Sequence, residues 1–197
     1  MESNDILDII IKNNINGFEF LGGTDKASDH SYDTVYSKLL SKYREKAGAI
    51  LEIGVQYGGS ALLWHEYLPL YKLALIDIKN QVHPTIWDKL SADRYNYIEA
   101  DAYTEETIEQ LKQIYPDGFD IIIEDGPHDI DTQTFTLREY SKLLKKGGTL
   151  VIEDIQNFEH IETMMSSINC NDYTSLKFID LREVKGRRDD LIIVLTK

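Results

Sequence analysis

The sequence predicts a doubly wound α/β domain, with a seven-stranded, mostly parallel sheet and helices on both faces. Seven short apolar runs rich in β-branched residues recur along the 197 residues, helical patterns lie between them, and no repeat or linker divides the chain. Apolar runs that do not alternate with polar residues indicate strands buried on both faces. Right-handed crossovers between such strands place helices on both sides of a parallel sheet.

The predicted strands are short and follow one another at regular intervals. They are Ala49 to Ile53, Leu73 to Ile76, Asn96 to Ile98, Phe119 to Ile123, Thr149 to Ile152, Leu176 to Ile179 and Leu191 to Leu195.

Five segments between these strands have helical periodicity. They are Tyr32 to Glu45, Ser60 to Tyr67, Glu105 to Tyr115, Ile130 to Leu144 and Glu159 to Ile168. The fourth is the clearest, because Ile130, Leu137 and Leu144 recur on one stripe. The pair Gly147-Gly148 that follows it is the expected stop signal.

Composition excludes several classes of protein. The chain has 34 acidic and 21 basic residues, a formal net charge of −13, and 42% hydrophobic residues. The apolar content argues against disorder, and the acidic balance argues against binding duplex nucleic acid or anionic membranes. Cys170 is the only cysteine, so neither an intrachain disulfide nor a cysteine-based zinc cluster can form.

The first residues of the chain and the lengths of its apolar runs bear on the cellular compartment of the protein. Met1 to Asn14 contains acidic residues and no basic region, which predicts that it is not a signal peptide. No apolar run approaches the roughly 18 residues of a membrane span. We therefore expect a cytoplasmic protein.

Acidic residues follow five successive predicted strands. They are Glu52, Asp77, Asp101, Asp125 and the pair Glu153-Asp154. In doubly wound sheets, ligands bind outside the carboxyl ends of the strands. For Asp77 or Asp101 taken alone, a role as helix N-cap is an open alternative. The whole set indicates a binding site.

A glycine-rich turn joins the first strand to the next helix. Gly54 and Gly58 are separated by three residues, a spacing that differs from the dinucleotide fingerprint, and no Gly-Lys-Ser/Thr phosphate loop is present. An acidic turn favours a ligand with a cationic amino-acid group and ribose hydroxyls over a pyrophosphate. Asp77 is placed to accept hydrogen bonds from a ribose diol.

At these motifs the sequence resembles the class I S-adenosylmethionine-dependent methyltransferases. Further motifs narrow the resemblance to the metal-dependent sugar O-methyltransferases, which include enzymes of macrolide sugars and are related to the cephalosporin-hydroxylase-like proteins. These motifs are Thr24-Asp25-Lys26, His30-x-Tyr32, Asp125-Gly126-Pro127-His128 and Ile152-Glu153-Asp154.

The resemblance implies a Rossmann-like fold, with S-adenosylmethionine and Mg²⁺ as cofactors. It implies a single methyltransferase domain over residues 1–197, in which residues 1–45 form N-terminal helices and a lid over the cofactor and residues 46–197 form the core. The implied cofactor-binding residues are Thr24, Tyr32, Glu52, Gly54, Tyr57, Gly58, Ser60, Asp77, Asp101, Ala102 and Asp125. The implied metal ligands are Asp125, Glu153 and Asp154, and His128 is the implied base.

The chemistry of O-methylation agrees with these roles. A cation lowers the pKa of the acceptor hydroxyl, and a base such as His128 removes its proton. Carboxylates on neighbouring strands about 4.8 Å apart can converge on one ion, and oxygen ligands favour Mg²⁺. Glu153 and Asp154 are consecutive, so they can share an ion only if the chain has already turned there.

The sequence alone does not identify the molecule that accepts the methyl group. A sugar or nucleotide-sugar is the expected small-molecule partner, with no nucleic acid and no membrane, and a homodimer is left open. Arg187 and Arg188 belong either to a solvated turn or to a site for the phosphate of a nucleotide-sugar. The alternative functions are methylation of phenolic or catechol acceptors and cofactor binding without catalysis.

Overall fold

A seven-stranded sheet forms the centre of the computed structural model, which describes residues 4–17 and 22–197. Its strands are β1 (Gly48–Ile53), β2 (Tyr71–Asp77), β3 (Tyr95–Glu99), β4 (Phe119–Glu124), β5 (Leu144–Ile152), β6 (Ser175–Asp180) and β7 (Leu191–Thr196). The order across the sheet is β3-β2-β1-β4-β5-β7-β6. Strands β1 to β5 pair in parallel, and β7 runs antiparallel to both of its neighbours. The predicted doubly wound, mostly parallel sheet is confirmed.

Helices cover both faces of this sheet. Within the described residues they are α1 (Asp5–Asn13), α2 (Tyr32–Leu40), α3 (Gly59–Tyr67), α4 (Pro84–Trp87), α5 (Glu105–Ile114), α6 (Ile130–Glu139), α7 (Phe158–Met165) and α8 (Arg182–Lys185). The longest of these described helices have 10 residues, so none of them could span a bilayer.

Alternating side chains of the strands build one core on each face. Ile50 of β1 packs in the core with α1, α2 and α3, whereas its neighbour Leu51 packs in the core with α5, α6 and α7. Because both faces are covered, nearly all residues of the central strands β1 and β4 are buried, which explains their continuous apolar runs. Burial of each Leu or Ile side chain contributes about 1.5 to 3 kcal/mol.

Two predicted helices end earlier than their sequence patterns suggest. The first ends at Leu40 and the fourth at Glu139, and each continues only as a 3₁₀ turn, through Tyr43 and Leu143 respectively. The predicted stop signal Gly147-Gly148 is wrong, because both glycines lie inside β5. There the pairing with β4 shifts register, and Gly147 adopts a φ of +80°.

The edge strand β6 departs from the expected burial on both faces. Lys177, Phe178 and Asp180 are exposed, because β6 has a single strand neighbour, β7, and carries little cover.

Candidate functional site

A cleft of about 470 Å³ opens at the carboxyl ends of β1 to β4. It lies where the chain order reverses, since β1 is flanked by β2 on one side and β4 on the other. This is the place where open α/β sheets bind ligands. The strand-end residues that line it include Gly54, Asp77, Asp101, Ala102, Asp125 and His128, and Thr24 and Ser60 line it from the preceding segment and from α3.

Gly54 allows the first strand to approach the fourth. It has a φ of +85°, and a Cβ at this position would lie 2.0 Å from the carbonyl oxygen of Asp125. The nitrogen of Asp125 in turn donates to the carbonyl of Ile53 at 2.9 Å. Only glycine satisfies both the backbone conformation and this close contact.

We expect Gly54→Ala to lower the free energy of unfolding by about 2 kcal/mol or more, since it adds a backbone collision to left-handed strain. Gly147→Ala is the matched control, because Gly147 has a φ of +80° and a methyl group at this position would meet nothing within 4 Å. Denaturant unfolding of both variants measures the difference. Equal losses would show that the contact with Asp125 contributes nothing.

Asp77 fixes the turn that follows β1. Its Oδ2 accepts hydrogen bonds from the nitrogens of Val55 at 2.9 Å and Gln56 at 2.8 Å. Gln56 holds a left-handed φ of 46°, which is uncommon outside glycine. Beside Asp77 the apolar side chain of Ile78 lines the cleft and is 69% exposed. This edge therefore combines a carboxylate with a bare apolar surface.

Two carboxylates and an imidazole converge beside the cleft. Nε2 of His128 lies 4.0 Å from Oδ1 of Asp125 and 3.6 Å from Oδ2 of Asp154. His128 and Asp154 both have left-handed backbones, with φ of 59° and 54°. Strained residues of this kind cluster at functional sites. We call Asp125, His128 and Asp154 the acidic cluster.

Lys26 provides a buried cation next to the acidic cluster. Its ammonium lies 2.7 Å from Oδ2 of Asp125 and 2.6 Å from Oε2 of Glu153, and its side chain is fully buried. Burial alone would lower the pKa of Lys26, but the charges of Asp125, Glu153 and Glu52 outweigh it and raise the pKa well above its usual range. Tyr36 donates to the second oxygen of Glu153. Both oxygens of Glu153 are thus engaged in the interior.

His30 links the same region to the last loop of the chain. Nδ1 of His30 lies 2.5 Å from Oδ1 of Asp190, and the Tyr32 hydroxyl donates to Oδ1 of Asp154 at 2.5 Å. Burial opposes a charged His30, but Asp25, Asp154 and Asp190 outweigh it and raise its pKa to about 9. These neighbours favour the charged form of His30.

Glu124 is a further buried acid at the end of β4. Its Oε1 accepts from the Tyr103 hydroxyl at 2.8 Å, and Tyr103 lines the cleft. Burial raises the pKa of Glu124 to about 8. The β3–α5 loop is thereby attached to the strand that carries Asp125.

Comparison with known proteins shows the family to which the chain belongs. The methyltransferase domain family matches residues 51–155, more than half of the chain. The chain belongs to this family. The matched range of the methyltransferase domain begins in β1 and ends just after the acidic cluster, so it includes the whole strand-end side of the cleft.

Two curated relatives of this methyltransferase domain are sugar O-methyltransferases. The 8-demethyl-8-alpha-L-rhamnosyl tetracenomycin-C 2'-O-methyltransferase of Streptomyces olivaceus is 27% identical over 151 residues, 71% of this chain and 37% of that protein. The mycinamicin VI 2''-O-methyltransferase of Micromonospora griseorubida is 28% identical over 133 residues, 64% of this chain and 32% of that protein. The match spans about a third of the length of these relatives.

Solved structures share the fold. The MycE methyltransferase of the mycinamycin pathway, in complex with Mg and SAH, superposes with a TM-score of 0.72 at 19% identity, covering 98% of this chain and 54% of that one. An O-methyltransferase from Bacillus cereus in complex with SAH gives 0.65 at 13% identity, covering 98% and 89%. The predicted Rossmann-like methyltransferase fold is confirmed, as is the resemblance on which it depended.

The methyltransferase domain brings most of the predicted cofactor-binding residues together. Those that line the cleft are Thr24, Gly54, Ser60, Asp77, Asp101, Ala102 and Asp125. Asp101 also closes its own turn, since Oδ1 accepts from the nitrogen of Tyr103 at 2.9 Å. Their binding role is a proposal taken up below.

Four predicted cofactor-binding residues lie outside the cleft lining: Tyr32, Glu52, Tyr57 and Gly58. Glu52 points to the opposite face of β1 from Ile53, is fully buried and accepts from Nε1 of Trp64 at 3.0 Å. Its carboxylate is therefore engaged away from the cleft lining, and its role toward the cofactor stays a prediction. Gly58 packs on Val82, where a Cβ would lie 2.6 Å from a methyl carbon. Tyr32 faces Asp154 instead.

Two of the three predicted metal ligands lie together and the third does not. Asp125 and Asp154 belong to the acidic cluster, whereas Glu153 does not, because its oxygens contact Lys26 and Tyr36. The chain has turned after β5, as sharing an ion requires, but the turn sends the two consecutive carboxylates to different partners.

Sequence reasoning missed Lys26 and Asp190 as members of the site, and it placed His30 only in the lid expected over the cofactor. Lys26 and His30 belong to motifs on which the resemblance was based. The segment around them is polar, however, and a polar sequence does not indicate that its side chains are buried. The segment with Arg187 and Arg188 was interpreted either as a solvated turn or as a phosphate site. Arg188 is exposed, whereas the side chain of Asp190, two residues later, is fully buried.

The donor set fits a small hard cation. The ligand atoms of the acidic cluster lie within 4.8 Å of one another. The carboxyl groups of Asp125, Glu153, Asp154 and Asp190 lie around two buried basic side chains, Lys26 and His30, so carboxyl groups outnumber basic groups among these residues. Carboxylate oxygens are the ligands that suit Mg²⁺.

Proposed function

We propose that this chain is an S-adenosylmethionine-dependent, Mg²⁺-assisted O-methyltransferase that acts on a sugar hydroxyl. The observation that carries the proposal is the convergence of Asp125, Asp154 and His128 beside a cleft that has the position and size of a nucleoside site. S-adenosylmethionine supplies the methyl group in such a reaction, and Mg²⁺ lowers the pKa of the hydroxyl that receives it.

The cleft supports binding of the adenosyl cofactor. Asp77 lies at the cleft edge, where Oδ2 holds the Gly54 turn and Oδ1 accepts from the nitrogen of Lys79 at 3.3 Å and has a further lone pair for a ribose diol. The exposed face of Ile78 and the small side chain of Ala102 offer apolar surface to a purine ring. Thr24, Ser60 and Asp101 supply polar groups around the same volume.

The acidic cluster supports the metal and proton-transfer roles. Asp125 and Asp154 each direct one oxygen toward His128, and this pair would hold the cation. His128 would accept the hydroxyl proton at Nε2, the nitrogen that faces the two carboxylates. The side chain of His128 is 32% exposed, so an acceptor can reach it. Histidine is suited to this exchange because it titrates near neutral pH.

A neutral sugar is the favoured acceptor. Both named relatives are O-methyltransferases of glycosylated small molecules. The prediction of a nucleotide-sugar depended on Arg187 and Arg188, but Arg187 is engaged by Asp189 at 3.1 Å and lies 3.8 Å from Asp190. This pairing weakens its attraction for a phosphate.

An acceptor panel tests the proposal. The full chain is incubated with S-adenosylmethionine, Mg²⁺ and, separately, rhamnosyl or other deoxysugar glycosides, nucleotide-sugars and catechols, and S-adenosylhomocysteine and the methylated product are quantified. We expect turnover with a neutral glycoside. Brisk methylation of catechol with none of any sugar would replace the proposed acceptor class, and calorimetric cofactor binding without any transfer would indicate a non-catalytic binding protein.

A further inference from the structure

Each carboxylate of the acidic cluster uses one oxygen for a buried donor and leaves the other for the cluster. Oδ2 of Asp125 contacts the ammonium of Lys26 at 2.7 Å, while Oδ1 lies 4.0 Å from His128. Oδ1 of Asp154 accepts from the Tyr32 hydroxyl at 2.5 Å, while Oδ2 lies 3.6 Å from His128. The two free oxygens therefore face the same point.

Both donors come from one short stretch of chain ahead of β1. The side chains of Lys26 and Tyr32 are fully buried. His30 lies between them and stacks on Tyr32, with ring centroids 4.5 Å apart and an interplanar angle of 25°. Because His30 is itself bound by Asp190, the Tyr32 ring is held in place from a third direction.

We propose that Lys26 and Tyr32 are positioning residues that make Asp125 and Asp154 single-oxygen ligands directed at one cation. The inference rests on the proposed Mg²⁺ site and adds the source of its geometry. Mg²⁺ demands near-octahedral coordination, which a carboxylate that rotates freely or binds through both oxygens does not provide. Residues that hydrogen-bond to metal ligands act in this way in other proteins.

Tyr36 offers a contrast within the same helix. It lies one turn after Tyr32 in α2, is equally buried, and donates to Glu153, the residue next to Asp154. Glu153 lies outside the acidic cluster. Tyr32→Phe and Tyr36→Phe each remove one buried hydroxyl. The first removes the donor to Asp154, a hydroxyl that also lies 3.4 Å from Oδ1 of Asp190, and the second removes the donor to Glu153.

Cation binding by the full chain tests the inference. Mn²⁺ is the probe because it accepts the same oxygen ligands as Mg²⁺, and its free concentration is read by electron paramagnetic resonance. With S-adenosylhomocysteine present, we expect Tyr32→Phe to raise the Kd for Mn²⁺ by about 10-fold or more, and Tyr36→Phe to leave it within about 2-fold. Methyl transfer by Tyr32→Phe should recover at high Mg²⁺, a rescue that a purely structural defect does not show.

The possible outcomes are distinct. An unchanged Kd in Tyr32→Phe overturns the positioning role, and an equal rise in Tyr36→Phe overturns it in favour of Glu153 as a ligand. Wild-type chain that binds no Mn²⁺ contradicts the metal part of the proposed function together with the inference. Infrared spectra of the wild-type chain give a second measurement that needs no variant: single-oxygen coordination on adding Mg²⁺ supports the inference, and two-oxygen coordination overturns it.

Discussion

Replacing His128 by alanine should lower methyl transfer by about 10²-fold or more while cofactor affinity changes little. The reason is geometric: Nε2 of His128 faces both carboxylates of the acidic cluster, where the proposed base would take the hydroxyl proton. Turnover is measured at saturating acceptor, and affinity for S-adenosylhomocysteine is measured by calorimetry.

The backbone of His128 calls for a second variant. Its φ of 59° lies in the left-handed region, which asparagine tolerates better than alanine. His128→Asn therefore removes the imidazole with less strain and should show the same loss of rate. His65→Ala is the control, since His65 lies on α3 and does not line the cleft. Wild-type rates in both His128 variants would remove His128 from the base role.

Removing divalent metal should reduce methyl transfer to the background rate, and added Mg²⁺ should restore it. Without a cation, the oxygens of Asp125 and Asp154 would leave uncompensated negative charge beside the proposed base His128, and this charge would oppose a developing oxyanion on the acceptor. The measurement is turnover in excess chelator, followed by titration with Mg²⁺.

The control for this experiment is chelator already saturated with Ca²⁺, which separates metal removal from direct effects of the chelator. Cofactor affinity should survive treatment, because the Gly54 turn and Asp77 are held by backbone contacts that need no metal. Full activity in excess free chelator would contradict the assignment of a metal to the acidic cluster.

Much of the fold could be predicted because it depends on local pattern. All seven predicted strands are present, since each contains a short run of apolar, β-branched residues, which in the central strands reflects burial on both faces. Helix ends were less predictable: the periodic stripe through Leu144 continues past the helix, because β5 begins there and needs the same apolar side chains.

The location of the candidate site could be predicted from the sequence, but many of its side-chain contacts could not. Residues that follow parallel strands reach one edge of the sheet, which brings Gly54, Asp77, Asp101 and Asp125 to one cleft. Which way a strand-end side chain points depends on its position in the pleat and on the turn that follows. Glu52 is one residue too early to face the cleft, and it bonds to Trp64 instead.

By itself, the sequence determined which chemical groups follow which strands: a glycine-rich turn after the first strand, an acidic residue after each of the first five, and a histidine shortly after the fourth. Only the tertiary structure decided that Lys26, His30 and Asp190 are buried beside the acidic cluster and that the two oxygens of Glu153 contact Lys26 and Tyr36. These contacts join residues 99, 127 and 160 positions apart, so no local pattern carries them. The physical reason is that the burial of a charge is stable only with a partner, and the fold alone brings the partners together.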